Sequence, residues 1–202
     1  MNSKNIKKHL NAKVKDWLES ISDESIKTTI RNNVIITGGA LVSLLTGEPV
    51  HDYDVYFKTK ESCMAVAQYF VDQWNKAHPD KRQASITDED DKLRVFISSD
   101  GVVSENPFDE TSEELPEPEE TTEGKPKYRP VFISSNAITL SDKIQIVVRF
   151  YGEVEEIHKN FDFAHCTCSW TIWNNEIQLP TKALECIINK ELYYIGSKYP
   201  LC

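Results

Sequence analysis

The sequence has no apolar run approaching the roughly 20 residues that a membrane-spanning helix needs, although 40% of its 202 residues are hydrophobic. This absence argues against a transmembrane protein. The polar and basic residues 1–8 also lack the apolar core of a secretion signal, so we expect a cytoplasmic protein. Cysteine is scarce as well: there are five, an odd number without a framework spacing, which predicts reduced thiols rather than a disulfide scaffold.

One segment has no lysine or arginine at all. Between Ser104 and Gly124 there are nine acidic residues, and without them the chain has 23 acidic residues against 23 Lys and Arg. The net charge of −9 therefore comes from this segment, and a neutral body can still bind RNA or a triphosphate. The stretch 104–130 contains five prolines and few apolar residues, which predicts an exposed, disordered acidic loop.

The apolar periodicity predicts both helices and strands in a single domain, residues 1–202. The predicted helices are 5–21, 23–31, 40–45, 61–76, 154–158 and 180–194. The predicted strands are 34–37, 50–57, 92–98, 131–134, 137–140, 143–150 and 160–168, followed by a hairpin over 171–179. Helices interspersed with strands that are adjacent in sequence predict an α+β (mixed α/β) fold, in which helices flank one mixed sheet.

Asp52 and Asp54 form the most informative pattern. Side chains alternate along a strand, so both carboxylates are expected on one face, roughly 7 Å apart. The predicted strand is otherwise apolar, and partly buried like charges are costly there unless a cation lies between them. Mg²⁺ binds carboxylate and phosphate oxygens together, so the pair predicts a magnesium site. Surface charges or turn residues are the alternative interpretation of an isolated Asp-x-Asp.

Gly38 and Gly39 follow one predicted strand and begin a predicted helix. A glycine turn lets the backbone approach a phosphate, and a helix N-terminus supplies N–H donors and the positive end of a dipole. A plain tight turn is the alternative for the two glycines alone. Followed by Asp-x-Asp on the next strand, they predict a site for a triphosphate beside the metal.

These residues resemble the motif of a known family. The run Gly38-Gly39-Ala40, Leu44-Leu45, Gly47, Pro49 and Asp52-Tyr53-Asp54 resembles the head-domain signature of poly(A) polymerases and CCA-adding tRNA nucleotidyltransferases, in the DNA polymerase β-like nucleotidyltransferase superfamily. The resemblance implies a nucleotidyltransferase-like mixed sheet and two Mg²⁺ ions, or Mn²⁺, on the aspartates. It also implies transfer of a nucleoside monophosphate from a nucleoside triphosphate, with an RNA 3′ end, tRNA-like or other, as the favoured acceptor. A protein hydroxyl or a small molecule is the alternative acceptor and fits the short chain.

The resemblance further implies a third carboxylate, within an apolar-Asp-apolar triplet on a neighbouring strand. Phe161-Asp162-Phe163 fits this pattern, so Asp162 is expected to bind the acceptor-side metal or to activate the acceptor hydroxyl. A structural aspartate held by backbone N–H groups is the alternative. Asp91 is a rival for the same role.

Lysines and arginines near the predicted strands are candidates for binding the triphosphate. The set is Lys58, Lys143, Arg149 and Lys198. Lys143 and Arg149 are preferred because they flank a predicted sheet strand. Zinc is not predicted at His165, Cys166 and Cys168, since no second Cys or His pair completes four ligands.

A non-catalytic module that retains this fold, binding a nucleotide or another protein, is the alternative function. The resembled family has an Arg-Asp pair where this chain has Val42-Ser43, and this difference favours the module together with the acidic loop. The clustered Asp52 and Asp54 argue against it, because a site that has lost its function has no physical reason to keep them.

Overall fold

The computed structural model describes residues 2–79, 83–89, 92–97 and 126–196. The helices within these residues are α1 (Ser3–Ser20), α2 (Glu24–Asn33), α3 (Gly39–Thr46), α4 (Lys60–Ala77), α5 (Val154–His158) and α6 (Thr181–Asn189). The strands are β1 (Val34–Thr37), β2 (Tyr53–Phe57), β3 (Ala84–Glu89), β4 (Lys92–Ile97), β5 (Pro130–Ile133), β6 (Ala137–Leu140), β7 (Ile144–Tyr151), β8 (Ser169–Thr171) and β9 (Glu176–Gln178). None of the described helices is long and apolar enough to cross a bilayer.

Seven strands form one sheet in the order β5-β6-β7-β2-β1-β8-β9. The β2–β7 pair is parallel, and the other neighbouring pairs are antiparallel. Strands β3 and β4 form a separate two-stranded hairpin. This mixed sheet with flanking helices confirms the predicted α+β fold.

The larger hydrophobic core lies between one face of the sheet and helices α1, α2, α3 and α4. Trp17 of α1 and Phe70 of α4 are almost fully buried there, with their rings stacked at 6.2 Å. A smaller cluster, which includes Ile35, Tyr56 and Ile157, covers the opposite face. Because side chains alternate along β2, Tyr56 and its neighbour Asp54 face this smaller cluster. The sheet therefore carries Asp54 on its more thinly covered face.

Side-chain caps determine where the first helices begin. Asn2 accepts a hydrogen bond from the Asn5 backbone at the start of α1. Asp23 accepts hydrogen bonds from the Ser25 and Ile26 backbones at the start of α2. Each such cap stabilises its helix by pairing N–H groups that a helix end leaves unpaired.

Two predicted elements are wrong. Residues 160–168 are not a strand: they form an irregular segment that includes a 3₁₀ turn, Ala164–Thr167, and a single bridge between Phe163 and Tyr194. The last helix ends at Asn189 instead of residue 194, because Lys190 adopts a left-handed conformation and the backbone turns back. The strand that carries Asp54 is also shorter than predicted, since β2 begins at Tyr53.

The predicted disordered loop is wrong at its C-terminal end. Tyr128 is only 2% exposed and donates a hydrogen bond to Asp16 over 2.8 Å, and Pro130 begins β5. A buried tyrosine with a carboxylate partner anchors this segment to α1. The remainder of the predicted loop, residues 104–125, lies outside the described residues, as do Asp91 and Lys198. The sequence interpretation missed β3, whose pairing with β4 builds the hairpin.

Candidate active site

Three predicted site residues lie at one end of the sheet. Strand β1 ends just before Gly38, and its antiparallel neighbour β2 begins just after Asp52. Strand β7 runs parallel to β2, with Tyr53 opposite Ile144, so Lys143 enters the sheet at the same level. The topology therefore brings together groups that are distant in sequence.

Asp54 lies beside the glycine turn. Gly38 has a φ of +87°, and a Cβ at this position would lie 3.3 Å from Oδ2 of Asp54. Its N–H donates to the carbonyl of Cys166 over 3.1 Å. Gly39 is exposed and begins α3. The predicted proximity of Asp54 to the glycine turn is present, while the chemical roles assigned to these residues remain predictions.

The two aspartates differ in environment. Asp52 is exposed, whereas Asp54 is partly buried. Burial, together with the smaller effect of the negative charge of Asp52, raises the pKa of Asp54 to about 6. The increase from 3.8 corresponds to roughly 3 kcal/mol of destabilisation of the charged form. A cation shared by the two carboxylates would remove much of this cost.

The side chain of Thr37, the last residue of β1 before the glycine turn, is buried and hydrogen-bonded. Thr37 is 0% exposed, and its hydroxyl donates to the carbonyl of Cys168 over 2.8 Å. The same oxygen lies 2.8 Å from Nε2 of His158. Because the hydroxyl has a single proton, Nε2 is the donor in that second contact. Burial lowers the pKa of His158 to about 4, so the imidazole is neutral at physiological pH.

Cys166 contacts the glycine turn through its backbone carbonyl, which accepts the Gly38 hydrogen bond. Burial and the charge of Asp54 both raise the pKa of its thiol, so it stays protonated. Within the part of the chain that the structure describes, no group of three or more His, Cys, Asp or Glu side chains could hold a metal ion. A metal at this turn would take its further ligands from a phosphate or from water.

Asp162 lies in the irregular segment 160–168 rather than on a neighbouring strand. The preceding ring of Phe161 packs on Tyr56 with centroids 6.0 Å apart, on the same face as Asp54. Oδ1 of Asp162 is buried and has no hydrogen-bond partner among the described residues. The residue of β7 directly opposite Asp54 is Gln145, so the adjacent strand supplies an amide instead of a carboxylate. The catalytic role of Asp162 remains a prediction.

The predicted cations are placed differently. Lys143 donates from Nζ to the carbonyl of Val50 over 2.9 Å, close to Asp52 in sequence. Arg149 lies four residues further along β7 than Gln145, or roughly 13 Å at the usual strand rise. Lys58 forms an ion pair with Glu153 over 3.2 Å. Of the two preferred cations, only Lys143 lies at the end of the sheet that holds Asp52 and Gly38.

Comparison with known proteins identifies the family. The sequence model described as Gabija anti-defense 2 (Gad2) family protein matches residues 8–190, which is nearly the whole chain. This chain belongs to the Gad2 family. As the family's name indicates, its role is related to anti-phage defence. A search of curated proteins gives no match.

Membership of the Gad2 family corrects the family suggested by the motif. The chain was expected to belong to the poly(A) polymerase and CCA-adding tRNA nucleotidyltransferase family, and that expectation is wrong. The motif spans residues 38–54 only, whereas the Gad2 match extends over residues 8–190. A strand, glycine turn, helix and acidic strand form a short local arrangement, and such an arrangement does not identify a family. A functional assignment must therefore be argued from the site itself.

His158 and Thr37 are the residues that sequence reasoning missed. Thr37 had one usable signal, since it ends a buried strand immediately before Gly38. His158 had none, because 121 residues separate it from the threonine that it contacts.

Proposed function

We propose that this Gad2-family chain is a Mg²⁺-dependent nucleotidyltransferase, which transfers a nucleoside monophosphate from a nucleoside triphosphate onto an acceptor. The position of the Asp54 carboxylate beside the Gly38 turn, with Asp52 as its charged neighbour, supports the proposal most strongly. A partly buried carboxylate next to a second one favours a divalent cation. The adjoining turn and the N-terminus of α3 favour a phosphate.

The donor set fits the proposed metal. Asp52 and Asp54 would hold it, and phosphate or water oxygens would complete its coordination, because the described residues place no third acidic, His or Cys side chain in a metal-binding group with them. When bound, Mg²⁺ or Mn²⁺ lowers the pKa of a hydroxyl and neutralises charge on the triphosphate. Two such ions are proposed, as in other enzymes that displace a phosphate in line.

The proposed transfer forms one bond and breaks one. The acceptor oxygen bonds to the α-phosphorus, and the bond between that phosphorus and the oxygen bridging to the β-phosphate breaks. Pyrophosphate leaves with the electron pair, and the acceptor proton passes to a carboxylate, for which Asp162 is the candidate. The peptide N–H groups of Gly39 and Ala40, at the start of α3, would orient the phosphates during this displacement.

Family membership supports an acceptor in the defence system that these proteins counteract. The expected RNA 3′ end came from the motif resemblance, and the family correction removes that support. A hydroxyl on a protein and one on RNA are both chemically suitable acceptors. We therefore propose modification of a macromolecule of the defence machinery, with the two acceptor classes separated by experiment.

The test is a labelling assay. The purified chain is incubated with each of the four ribonucleoside triphosphates, labelled at the α-phosphate, with Mg²⁺ or Mn²⁺ and lysate of cells that express Gabija. We expect label in a species sensitive to protease or to ribonuclease, and none from γ-labelled nucleotide. Asp54→Asn should abolish transfer, whereas Asp72→Asn, an exposed position on α4, should retain it. If no label is transferred with any of the four nucleotides and either metal, the proposed enzymatic function is wrong.

A non-catalytic binding module is the second candidate. It is favoured by Gln145, which lies where a carboxylate on the neighbouring strand would complete a metal site opposite Asp54. Calorimetry with each triphosphate, with and without Mg²⁺, separates the candidates. Binding that requires metal supports the enzyme, and binding that is indifferent to metal supports the module.

A further inference from the structure

Gln145 of β7 is the residue that lies opposite Asp54 on the neighbouring strand. Strands β2 and β7 run parallel, and their register pairs Asp54 directly with Gln145. Paired residues have side chains on the same face of a sheet, and the two strands are about 4.8 Å apart. The neighbours agree with this assignment, since Tyr56 and Val147, each two residues further along, both pack in the smaller cluster. The amide and the carboxylate are therefore side by side on one face.

Both side chains are partly buried and make no hydrogen bond within the described part of the chain. Gln145 and Asp54 each have intermediate exposure. Neither side chain is hydrogen-bonded to another residue that the structure describes. Buried polar groups in proteins generally have a hydrogen-bond partner, and an amide has one acceptor oxygen and two N–H donors. The two residues therefore offer free acceptor oxygens on the same side of the sheet.

The glycine turn borders Asp54 from the other side. Strand β1 lies on the opposite side of β2 from β7. Gly38, at the end of β1, would place a Cβ 3.3 Å from Oδ2 of Asp54 if it carried one. Asp54 therefore has the turn on one side and Gln145 on the other. A cation at Asp54 can take a phosphate oxygen from the side of the turn and an amide oxygen from the side of β7.

The oxygen types suit a hard divalent cation. Carboxylate, carbonyl and water oxygens are the ligands that Mg²⁺ and Mn²⁺ prefer. Ligand oxygens lie about 2.1 Å from Mg²⁺ in octahedral geometry, so neighbouring oxygens are about 3 Å apart. Side chains on strands about 4.8 Å apart can bring two oxygens to that separation. Among the described residues no group of three acidic, His or Cys side chains could hold a metal, so a third protein ligand has to be of another type.

The charge of the site favours an amide over a further acid. Asp52 and Asp54 together carry two negative charges, which one divalent cation neutralises. Burial and the charge of Asp52 already raise the pKa of Asp54 to about 6. A third carboxylate beside Asp54 would make its ionised form still less favourable. Gln145 supplies an oxygen without adding a charge, so Asp54 can remain ionised near pH 7 before the metal binds.

We propose that Gln145 is a metal ligand, whose amide oxygen binds the divalent cation that Asp52 and Asp54 hold. This role rests on the proposed function, because it adds a ligand to the same site. Gln145 then completes the metal site with a neutral oxygen, and phosphate and water oxygens occupy the remaining positions. Fewer charged ligands bind a divalent cation less tightly. The oxygens of the triphosphate therefore contribute much of the affinity for the metal.

The test measures Mn²⁺ binding by calorimetry, with and without tripolyphosphate. Gln145→Met keeps the length of the side chain and replaces the amide with a thioether, which binds hard cations poorly. Even residues that only support metal ligands typically contribute 10–100-fold to metal affinity, so loss of a ligand should weaken Mn²⁺ binding at least about tenfold. Gln178→Met is the matched control, since Gln178 is an exposed glutamine on β9. It should change the affinity less than about twofold.

A second variant separates a ligand from a packing residue, and covers the case in which Gln145→Met does not fold. Gln145→Glu keeps a ligand oxygen and adds a charge, so it should tighten Mn²⁺ binding about tenfold. In EDTA it should lower the melting temperature, because a third carboxylate then lies beside Asp54. A residue that only packs would not shift the Mn²⁺ affinity in opposite directions in the two variants.

The outcomes distinguish the role of Gln145 from the function of the site. If Asp54→Asn abolishes Mn²⁺ binding but a folded Gln145 variant keeps the wild-type affinity within about twofold, the role of Gln145 is overturned and the proposed function stands. If the wild type binds no Mn²⁺, with or without tripolyphosphate, the proposed function fails and the ligand role fails with it.

Discussion

Replacing Asp54 with asparagine should stabilise the metal-free protein. The pKa of Asp54 is raised from 3.8 to about 6, first by burial and then by the charge of Asp52. At pH 8 the fold therefore carries an ionised group that is roughly 3 kcal/mol less favourable than in the unfolded chain. Asp54→Asn removes that charge with little change in volume. For a chain of this length the gain corresponds to a rise in melting temperature of about 6–12 °C.

The pH dependence of this gain in stability identifies its cause. Because the folded pKa lies above the unfolded value, the native state binds more protons than the unfolded state between pH 3.8 and about 6. The stability contribution of Asp54 is therefore lost as the pH rises through this window. The advantage of Asp54→Asn should be largest above pH 6 and should fall below about 1 kcal/mol at pH 4.

Urea unfolding with EDTA at pH 4, 6 and 8 measures both effects. Asp52→Asn is the matched comparison: it removes the neighbouring charge but not the burial, so its gain should be smaller. Mg²⁺ with tripolyphosphate should then raise the melting temperature of the wild type and leave that of Asp54→Asn unchanged. The reasoning is refuted if Asp54→Asn is no more stable than the wild type at pH 8, or if its advantage does not shrink at pH 4.

Three further substitutions test the surroundings of the site. Gly38→Ala should lower the free energy of unfolding in urea by about 1–3 kcal/mol and abolish tripolyphosphate binding, because the Gly38 backbone conformation is nearly restricted to glycine and the added Cβ meets Asp54. Gly47→Ala is the control: Gly47 also has a positive φ but faces open space, so calorimetry should show that tripolyphosphate binding is kept. The wild type should lose about 2 kcal/mol of its free energy of unfolding between pH 7.5 and pH 5, because the His158 pKa is lowered to about 4 in the folded state and acid therefore favours the unfolded state. His158→Gln should not show this loss. If urea unfolding shows the same acid dependence for both proteins, the prediction is wrong. Arg149→Ala should alter nucleotide affinity less than about twofold, whereas Lys143→Met should weaken it several-fold. If calorimetry finds instead that Arg149→Ala has the larger effect, the triphosphate lies along β7.

Several elements were predictable because their side chains follow one simple period. The apolar run of β1 and the helical turn of α5 were predicted with the bounds that the structure has. The error at 160–168 has a physical cause. Phe161 and Phe163 suggest an alternating strand, yet Phe161 packs on Tyr56 while Phe163 packs on Tyr194. These two contacts are long-range, and local periodicity does not contain them.

The candidate site divides in the same way. The approach of Asp54 to Gly38 was predictable, because a strand, a turn, a short helix and an antiparallel strand return the chain to its starting edge. The hydrogen bond between His158 and Thr37 was not predictable, since it depends on how α5 packs against the sheet. A cleft lined by His9, Tyr53 and Lys143 was not predicted either, because its walls come from α1, β2 and the turn before β7.

The turn into β7 has a consequence for engineering. Asp142 and Lys143 are consecutive residues with φ of +61° and +66°, a backbone shape that costs roughly 1–2 kcal/mol per side chain relative to glycine. Two glycines would relax this corner and make the protein more heat-resistant. They would also delete an acid and a base from the wall of the cleft that α1, β2 and this turn form. A variant made in this way should be more heat-resistant and, like Lys143→Met, should bind nucleotide less tightly.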